Sequence, residues 1–426
     1  MGNPPFIGYS FQDEKQKEEI KTLYVNEAGK MYNGAGKIDY VAGWYMKAAM
    51  MMEGTDIQTA FVSTNSITQG DQVITVWKPL FDRYNIHIDF AHRTFRWDSE
   101  ATKKAHVHVV IVGFSITKNN FIKVIYEAGL VKKVKNINAY LVEAPNVFIQ
   151  SRSKPLCGVL DMTTGNRPAD GGHLIIDKDE YQDFIEQEPL AKKYIKKLAG
   201  GSEYIDGEYR YCLWLVDANP AELRKMPLVM DRIRECREDR LQGAPDRQKL
   251  ASTPTLFRET KNPKRYLVIP ATSSEKRKYI PIGYLDADTI PTNAVIMIPN
   301  APIHYLGILT SNVHMSWMRA VAGRLEMRYR YSKKIVYNNF PWPNLTDEQK
   351  QKIELTSKAI LDSRDLYPES SLADLYDELT MPPELRKAHQ ENDKAVMEAY
   401  GFNWREMTES ECVAELMRMY QSLVES

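Results

Sequence analysis

Almost at the start of the chain stand four residues, Asn3-Pro4-Pro5-Phe6, whose types and order suit one chemical problem: methylating an exocyclic amine on a nucleobase. The lone pair of such an amine is delocalised into the ring, so the amine is a poor nucleophile. Two successive prolines fix two φ angles and remove two backbone donors, so the Pro4 carbonyl is held rigid and unpaired. That carbonyl and the Asn3 side-chain oxygen would accept the two N–H groups and localise the lone pair on an incoming methyl group. Phe6 would stack on a base flipped out of the duplex, where its reacting atom becomes reachable. Asn3, Pro4, Pro5 and Phe6 are therefore the candidate catalytic residues. On the tetrapeptide alone, a proline-rich turn at a chain end is the competing reading.

Two further stretches carry chemistry. Between Phe90 and Trp97 the chain offers His92, Arg93, Phe95, Arg96 and Trp97, a basic and aromatic mixture. Phe95 or Trp97 would back a flipped base, and Arg93 or Arg96 would hold a phosphate; the alternative is a core-capping aromatic pair with solvated arginines. The run Glu326-Met327-Arg328-Tyr329-Arg330, if extended, puts Glu326, Arg328 and Arg330 on one face. Arginine is bidentate to guanine and glutamate accepts from the cytosine amine. A solvated strand face is the other reading of the same alternation. Arg319, Arg324, Lys333 and Lys334 flank the run and would contact phosphates, which position a protein without specifying sequence. His106 and His108 stand two apart on one strand face, with no third metal ligand nearby; packing or hydrogen bonding is the expected role, and no metal is expected.

Elements to position these residues emerge from periodicity. Ile38 to Glu53 and Gln69 to Tyr84 space apolar residues as helices, while Ala60 to Thr64, Asn85 to Phe90 and Val107 to Phe114 read as strands. That order predicts a parallel α/β sheet finished by a hairpin. Ligands sit at the carboxyl ends of such strands, which puts Asn3 to Phe6, Thr64-Asn65-Ser66 and a loop after Phe90 on one rim. From Thr117 short strand-like segments alternate with Gly, Pro and Asn: Ala139 to Val147, Arg210 to Val216, Arg265 to Pro270, Tyr279 to Gly283 and Val295 to Ile298. Helices are expected at Tyr181 to Leu198 and at Ala221 to Leu241. From Thr346 the pattern is helical, with an N-cap at Thr346 and a break at Met381-Pro382-Pro383. The expected domains are residues 1–116, 117–343 and 344–426.

The formal net charge is zero, but residues 344–426 carry 18 acidic and 9 basic side chains, leaving a net of +9 on the rest. A basic body with an acidic tail fits a polyanion-binding protein with a separate C-terminal module. Four scattered cysteines form no CxxC pair, which points to a reducing cytoplasm.

Three consecutive regions resemble one family. Asn3-Pro4-Pro5-Phe6 is similar to motif IV of the adenine-N6 DNA methyltransferases. AFVSTNSITQGDQV (60–73) and FAHRTFRWDSEA (90–101) resemble later motifs of the MmeI-like branch, the fused type II restriction–modification enzymes. The likeness continues through NRPADGGHLII (166–176), YRYCLWL (209–215), GRLEMRYRYS (323–332) and VYNNFPWP (336–343), and through SLADLYDELTMPPELRKAHQENDKAVMEAYGF (371–402). It implies part of a class I methyltransferase α/β sheet, an α+β target-recognition domain that binds double-stranded DNA, and a helical C-terminal region. It also implies S-adenosylmethionine as methyl donor and a flipped adenine as acceptor, with base reading by the Glu326 run.

In these enzymes the glycine-rich cofactor loop precedes the Asn-Pro-Pro-Phe motif, and only Met1-Gly2 does so here. Gly171-Gly172 and Gly200-Gly201 are read as lacking the flanking strand-to-helix pattern. The expectation is the C-terminal part of a longer enzyme, inactive by itself, whose partner is an N-terminal methyltransferase half or a separate subunit carrying one. The rival expectation is a non-catalytic, sequence-specific DNA-binding subunit.

Overall fold

The computed structural model describes residues 1–98, 106–117 and 122–425. Two compact units divide it: Met1–Val159 with Val313–Asn344 and Tyr400–Ser426, and Leu160–Asn312 with Leu345–Ala399.

In the first unit, helix α1 (Glu14–Leu23) starts on a capping box: the Gln16 N–H donates to Asp13 Oδ1 and the Asp13 N–H donates to Gln16 Oε1. Helix α2 (Ala42–Met52) buries Tyr45, Met46, Ala49 and Met52. Strand β1 (Gln58–Thr64) leads to helix α3 (Gln72–Tyr84), whose stripe of Val73, Val76, Trp77 and Leu80 is buried and whose end is turned by Asn85 in the left-handed region. Strands β2 (His87–Asp98), β3 (His106–Ser115), β4 (Lys123–Glu127) and β5 (Leu130–Val134) complete a five-stranded sheet of order β1-β3-β2-β4-β5. Strand β3 is antiparallel to both neighbours, so β1 and β2 point the same way, and β4 is parallel to β2. The core closes on Tyr45, which stacks on Phe114 at 5.3 Å and meets Phe61 and Trp77 edge-on. A Cβ at Gly113 would collide with the Phe90 ring, so only glycine lets that ring cross the sheet.

Two features of this sheet differ from the sequence reading. Strand β2 does not give way to a loop at Phe90 but runs to Asp98, past bulges at Ile88/Phe90 and His92/Phe95. Each bulge resets the period of two, which hides the alternation that marks a strand. The sheet also carries on past residue 116 through the β4–β5 hairpin, where β5 is exposed from Leu130 to Lys133 and so shows no apolar alternation. Residues 99–101 of the second family-like stretch and the His106 side chain lie outside the described residues. Ala139 to Val147 is not a strand: the Asn138 amide oxygen accepts from the Tyr140 and Val142 N–H groups and winds the segment into turns.

The second unit holds two four-stranded sheets. One, from β6 (Thr163–Thr164), β10 (Arg265–Pro270), β11 (Gly283–Asp286) and β13 (Val295–Pro299), has the order β11-β10-β13-β6. The other, from β7 (Ile175–Ile176), β8 (Ile195–Ala199), β9 (Arg210–Leu213) and β12 (Thr289–Pro291), has the order β12-β8-β9-β7. The helix expected over Tyr181 to Leu198 is cut short: α4 (Tyr181–Gln187) stops before Pro189, a 3-10 turn succeeds it, and the remainder is strand β8. A short helix, α5 (Gly201–Asp206), links β8 to β9. The next expected helix is likewise split. Pro227 starts α6 (Pro227–Gln242) after a single turn at Pro220–Leu223. Arg240 on α6 is fully buried and donates to five backbone carbonyls, those of Pro168, Ala169, Leu250, Thr253 and Leu256. Tyr279 to Ile282 precedes β11 rather than forming a strand.

Thr346 caps the helix Asp347–Asp365, and a second helix, Pro383–Ala399, begins at the proline pair, both as the sequence indicates. Asn392 on the second donates to the Gly307 carbonyl, at a crossing where a Cβ on residue 307 would collide with Ser357. Among the described residues no helix is long and apolar enough to cross a membrane.

Candidate functional site

Gly2 fixes the position of the tetrapeptide. Its N–H donates to the Ala60 carbonyl and its own carbonyl accepts from the Val62 N–H, both at 3.0 Å, a parallel bridge alongside β1. A parallel neighbour leaves the sheet at the same end as β1, so Asn3 to Phe6 emerges at the carboxyl rim. Asn3 and Pro5 are exposed, Phe6 is half-buried and Pro4 is buried. Among the described residues neither the Asn3 amide nor the Pro4 carbonyl has a hydrogen-bond partner. Two acceptors are thus held on a rigid backbone and left unspent.

The chain beyond the motif is tied down by Asp39, a residue whose role its local sequence does not reveal. One carboxylate oxygen accepts from the Tyr9 N–H at 3.2 Å and the other from the Ser66 hydroxyl. The Ile7 carbonyl accepts from the Tyr40 N–H at 2.9 Å, and the Asp39 N–H donates to Gln72. Thr64 and Ser66 share a hydroxyl pair at 2.9 Å. The exit of β1, the start of α2 and the chain after Phe6 are therefore one hydrogen-bonded frame. Asn65 lies within it, 8% exposed, its side-chain nitrogen without a partner among the described residues.

The basic and aromatic residues of β2 reach the same rim from a strand rather than a loop. Thr64 and Phe95 both face Val109 in register, so Phe95 is level with the end of β1 and Arg96, Trp97 and Asp98 project beyond it. Phe95 and Trp97 are tilted neighbours at 6.2 Å, and Trp97 is 43% exposed. His92 stacks on Tyr126 at 4.3 Å. Arg96 is exposed, and Arg93 is paired with Glu127 of β4 at 2.6 Å.

The run at Glu326 is a hairpin, not one extended strand: β14 (Gly323–Leu325) pairs with β15 (Arg328–Arg330). Glu326 sits at the turn with φ +58° and therefore does not share a strand face with the arginines; its carboxylate meets Arg328 at 3.1 Å. From Arg328 on the expected alternation holds, with Arg328 and Arg330 exposed and Tyr329 and Tyr331 buried. The flanking cations divide. Arg324 lies over the Tyr329 ring at 4.3 Å and donates to the Met327 carbonyl. Arg319 makes a two-pronged pair with Glu409 at 2.7 and 3.0 Å. Lys333 is half-buried at the start of a π-helical turn (Lys333–Tyr337), and Lys334 is exposed. Beneath the hairpin, buried His314 bonds to the Tyr331 hydroxyl at 2.8 Å, and burial pushes its imidazole down to about 3.

Gly200-Gly201 does join a strand to a helix, β8 to α5, contrary to the sequence reading. It does not fit a cofactor loop, because Glu203 accepts the Gly200 N–H at 2.9 Å and its carboxylate fills the space a Cβ on residue 200 would need. The place an anionic group would take at that helix start is filled by the chain's own carboxylate.

A mixed α/β sheet with an Asn-Pro-Pro-Phe segment at its carboxyl rim, followed by small sheets and terminal helices, has the fold class of a methyltransferase joined to a recognition module. Three family descriptions match in succession: MmeI, DNA-methyltransferase domain, at residues 1–127; MmeI, target recognition domain, at 143–344; and MmeI, C-terminal domain, at 345–426. The chain belongs to the MmeI family. It is 40% identical over 430 residues to DNA methyltransferase A of Bacillus subtilis (strain 168), a match covering 100% of this chain and 48% of that protein. The type IIL restriction-modification enzyme MmeI, solved in complex with DNA, superposes with a TM-score of 0.91 at 44% identity, covering 100% of this chain and 57% of that one. The chain thus spans about half the length of these relatives.

Proposed function

We propose that this chain serves site-specific methylation of adenine N6 in duplex DNA, supplying the amine-binding rim and the sequence-reading hairpin. The observation that carries the reading is the parallel bridge at Gly2, which sets the Asn3 oxygen and the Pro4 carbonyl, both unpaired among the described residues, beside the end of β1. In this reading a flipped adenine stacks on Phe6, with Phe95 and Trp97 near the same rim, and gives its two amine protons to those two acceptors as hydrogen bonds. Nitrogen then keeps its lone pair for attack, and the proton released on methylation leaves with solvent. S-adenosylmethionine supplies the methyl group; no described residue is assigned to hold it. Arg328 and Arg330 face base edges, Glu326 shapes the turn and orients Arg328, and Arg96 takes a phosphate. The four free thiols suit a reducing cytoplasm.

The test is Asn3→Ala introduced at the native locus, with adenine methylation mapped in genomic DNA and DNA affinity measured on the purified chain. Loss of one fixed acceptor should lower methylation roughly a hundredfold or more, with affinity within a few-fold, because affinity rests mainly on phosphate contacts. Methylation near the wild-type level overturns the assignment of Asn3.

A further inference from the structure

The second unit carries a basic groove that neither the rim nor the hairpin uses. Partly open and about 850 Å³ in volume, it is lined by residues of β8 and β12 and of β10 and β11. Lys196, Lys197, Lys264 and Arg265 line it, and among the described residues none of the four makes an ion pair. Lys193 at one end is paired with Glu222, and the acids on the lining are Asp286 and Asp288. Three of the four unpaired cations are nonetheless held in place. Lys197 lies over the Tyr209 ring at 5.2 Å, Arg265 over Tyr284 at 4.1 Å, and Lys196 donates to the Ala287 carbonyl at 2.5 Å. A cation over an aromatic face keeps its charge and its outward N–H groups while losing side-chain freedom. Four unpaired cations against two lining carboxylates leave the groove net positive, a charge that an external polyanion would offset.

We infer that this groove holds the phosphodiester backbone of duplex DNA, as a contact separate from the sequence-reading hairpin. The inference rests on the proposed DNA function and adds a site to it. Three features select backbone over base edges. The donors are mostly lysines, point charges without the planar fork that reads guanine. Arg265 lies over Tyr284 and Lys197 over Tyr209, so one face of each of these two rings is occupied by a cation rather than open to a base. Contacts of this type position a protein and carry no sequence information.

The experiment measures binding of the full chain to short duplexes by fluorescence anisotropy between about 50 and 200 mM salt. It compares wild type with Lys197→Gln/Lys264→Gln and with the same pair plus Arg265→Gln. Charge-matched controls are Lys15→Gln and Lys358→Gln, exposed positions outside the groove lining, and a Lys197→Arg/Lys264→Arg variant keeps the charge. Each lost phosphate contact should flatten the slope of log K against log salt by about 0.9. The triple variant should therefore bind all sequences at least about tenfold more weakly, with a slope lower by roughly 3. The arginine variant and the remote controls should keep wild-type behaviour, and melting curves should show that the variants fold. Wild-type affinity and slope in the triple variant overturn the groove alone. So does a change in the preferred duplex sequence. A wild-type chain that binds no duplex overturns the DNA reading and the groove with it.

Discussion

The rim around Asn3 and the hairpin around Glu326 are both polar, exposed and rich in groups that would suit DNA, yet they use their polar atoms in opposite ways. At the rim the frame consumes hydrogen bonds and the motif keeps its own: Gly2, Asp39, Tyr40 and Ser66 are all engaged, while the Asn3 oxygen and the Pro4 carbonyl have no partner among the described residues. At the hairpin the candidates themselves are partly consumed, Arg319 by Glu409 and Arg324 by Tyr329 and Met327. Residue type announces what a side chain is able to do; only its partners decide whether it is available to do it. Arg328 is itself held by Glu326, but that carboxylate is exposed at the turn, so in the proposed reading Arg328 and Arg330 stay the readers while Arg319 and Arg324 act as supports.

Breaking the frame should have the largest effect. Asp39→Ala removes both carboxylate contacts to Tyr9 and Ser66 and leaves their donors in a half-buried site. A fall in stability of about 2–3 kcal/mol is expected, read as a lower denaturation midpoint, together with a loss of methylation approaching that of Asn3→Ala. Next comes the hairpin. Arg328→Gln should change the preferred base at one position of the site by roughly 1–3 kcal/mol of discrimination. Arg324→Ala should instead lower stability by about 0.5–1 kcal/mol, the worth of an exposed cation–π contact, and leave the preferred sequence alone. Binding to a panel of single-base variants separates the two.

Acidification should loosen the support beneath the hairpin. His314 stays neutral in the fold down to about 3, while its ordinary value is 6.5, so the unfolded chain binds the extra proton between these limits. The stability contributed by the neutral imidazole is complete above about 6.5 and declines as pH falls, by up to about 1.4 kcal/mol per pH unit. Buried His389, lowered by desolvation and then by the charges of Arg364 and Lys278, acts in the same direction in the other unit. Melting temperatures recorded from pH 7 to 5 should fall, and His314→Gln should make the decline shallower. The smallest effect is expected from Arg319→Ala. Its pair with Glu409 is partly exposed, so under about 1 kcal/mol is lost, and the salt dependence of DNA binding should not change. A slope reduced by a full phosphate contact would return Arg319 to the DNA-binding set.

The parts of this molecule that were legible in the sequence are those whose cause is local. Two adjacent prolines declare the stiff backbone of Asn3 to Phe6, α3 declares its buried stripe by spacing, and Thr346 declares a helix start. The hidden parts depend on partners far along the chain or on a broken period. Asp39 looks like any loop acid until Ser66, 27 positions away, bonds to it. Bulges conceal the second half of β2, Pro189 and Pro227 cut two helices that their apolar spacing would have continued, and Arg319 reads as a free cation until Glu409 is met 90 positions on. Glu326 fails for a third reason: its positive φ belongs to a turn, and alternation of charge cannot distinguish a turn from the strands that flank it.

The division of labour between rim and hairpin is open to one direct measurement, long-read methylation mapping of cells carrying Asn3→Ala or Arg328→Gln at the native locus. The account predicts that Asn3→Ala abolishes methylation at an unchanged set of sites, and that Arg328→Gln preserves methylated adenine while shifting the sequence around it. Asn3→Ala with normal methylation, or Arg328→Gln with normal methylation at an unaltered motif, would contradict it.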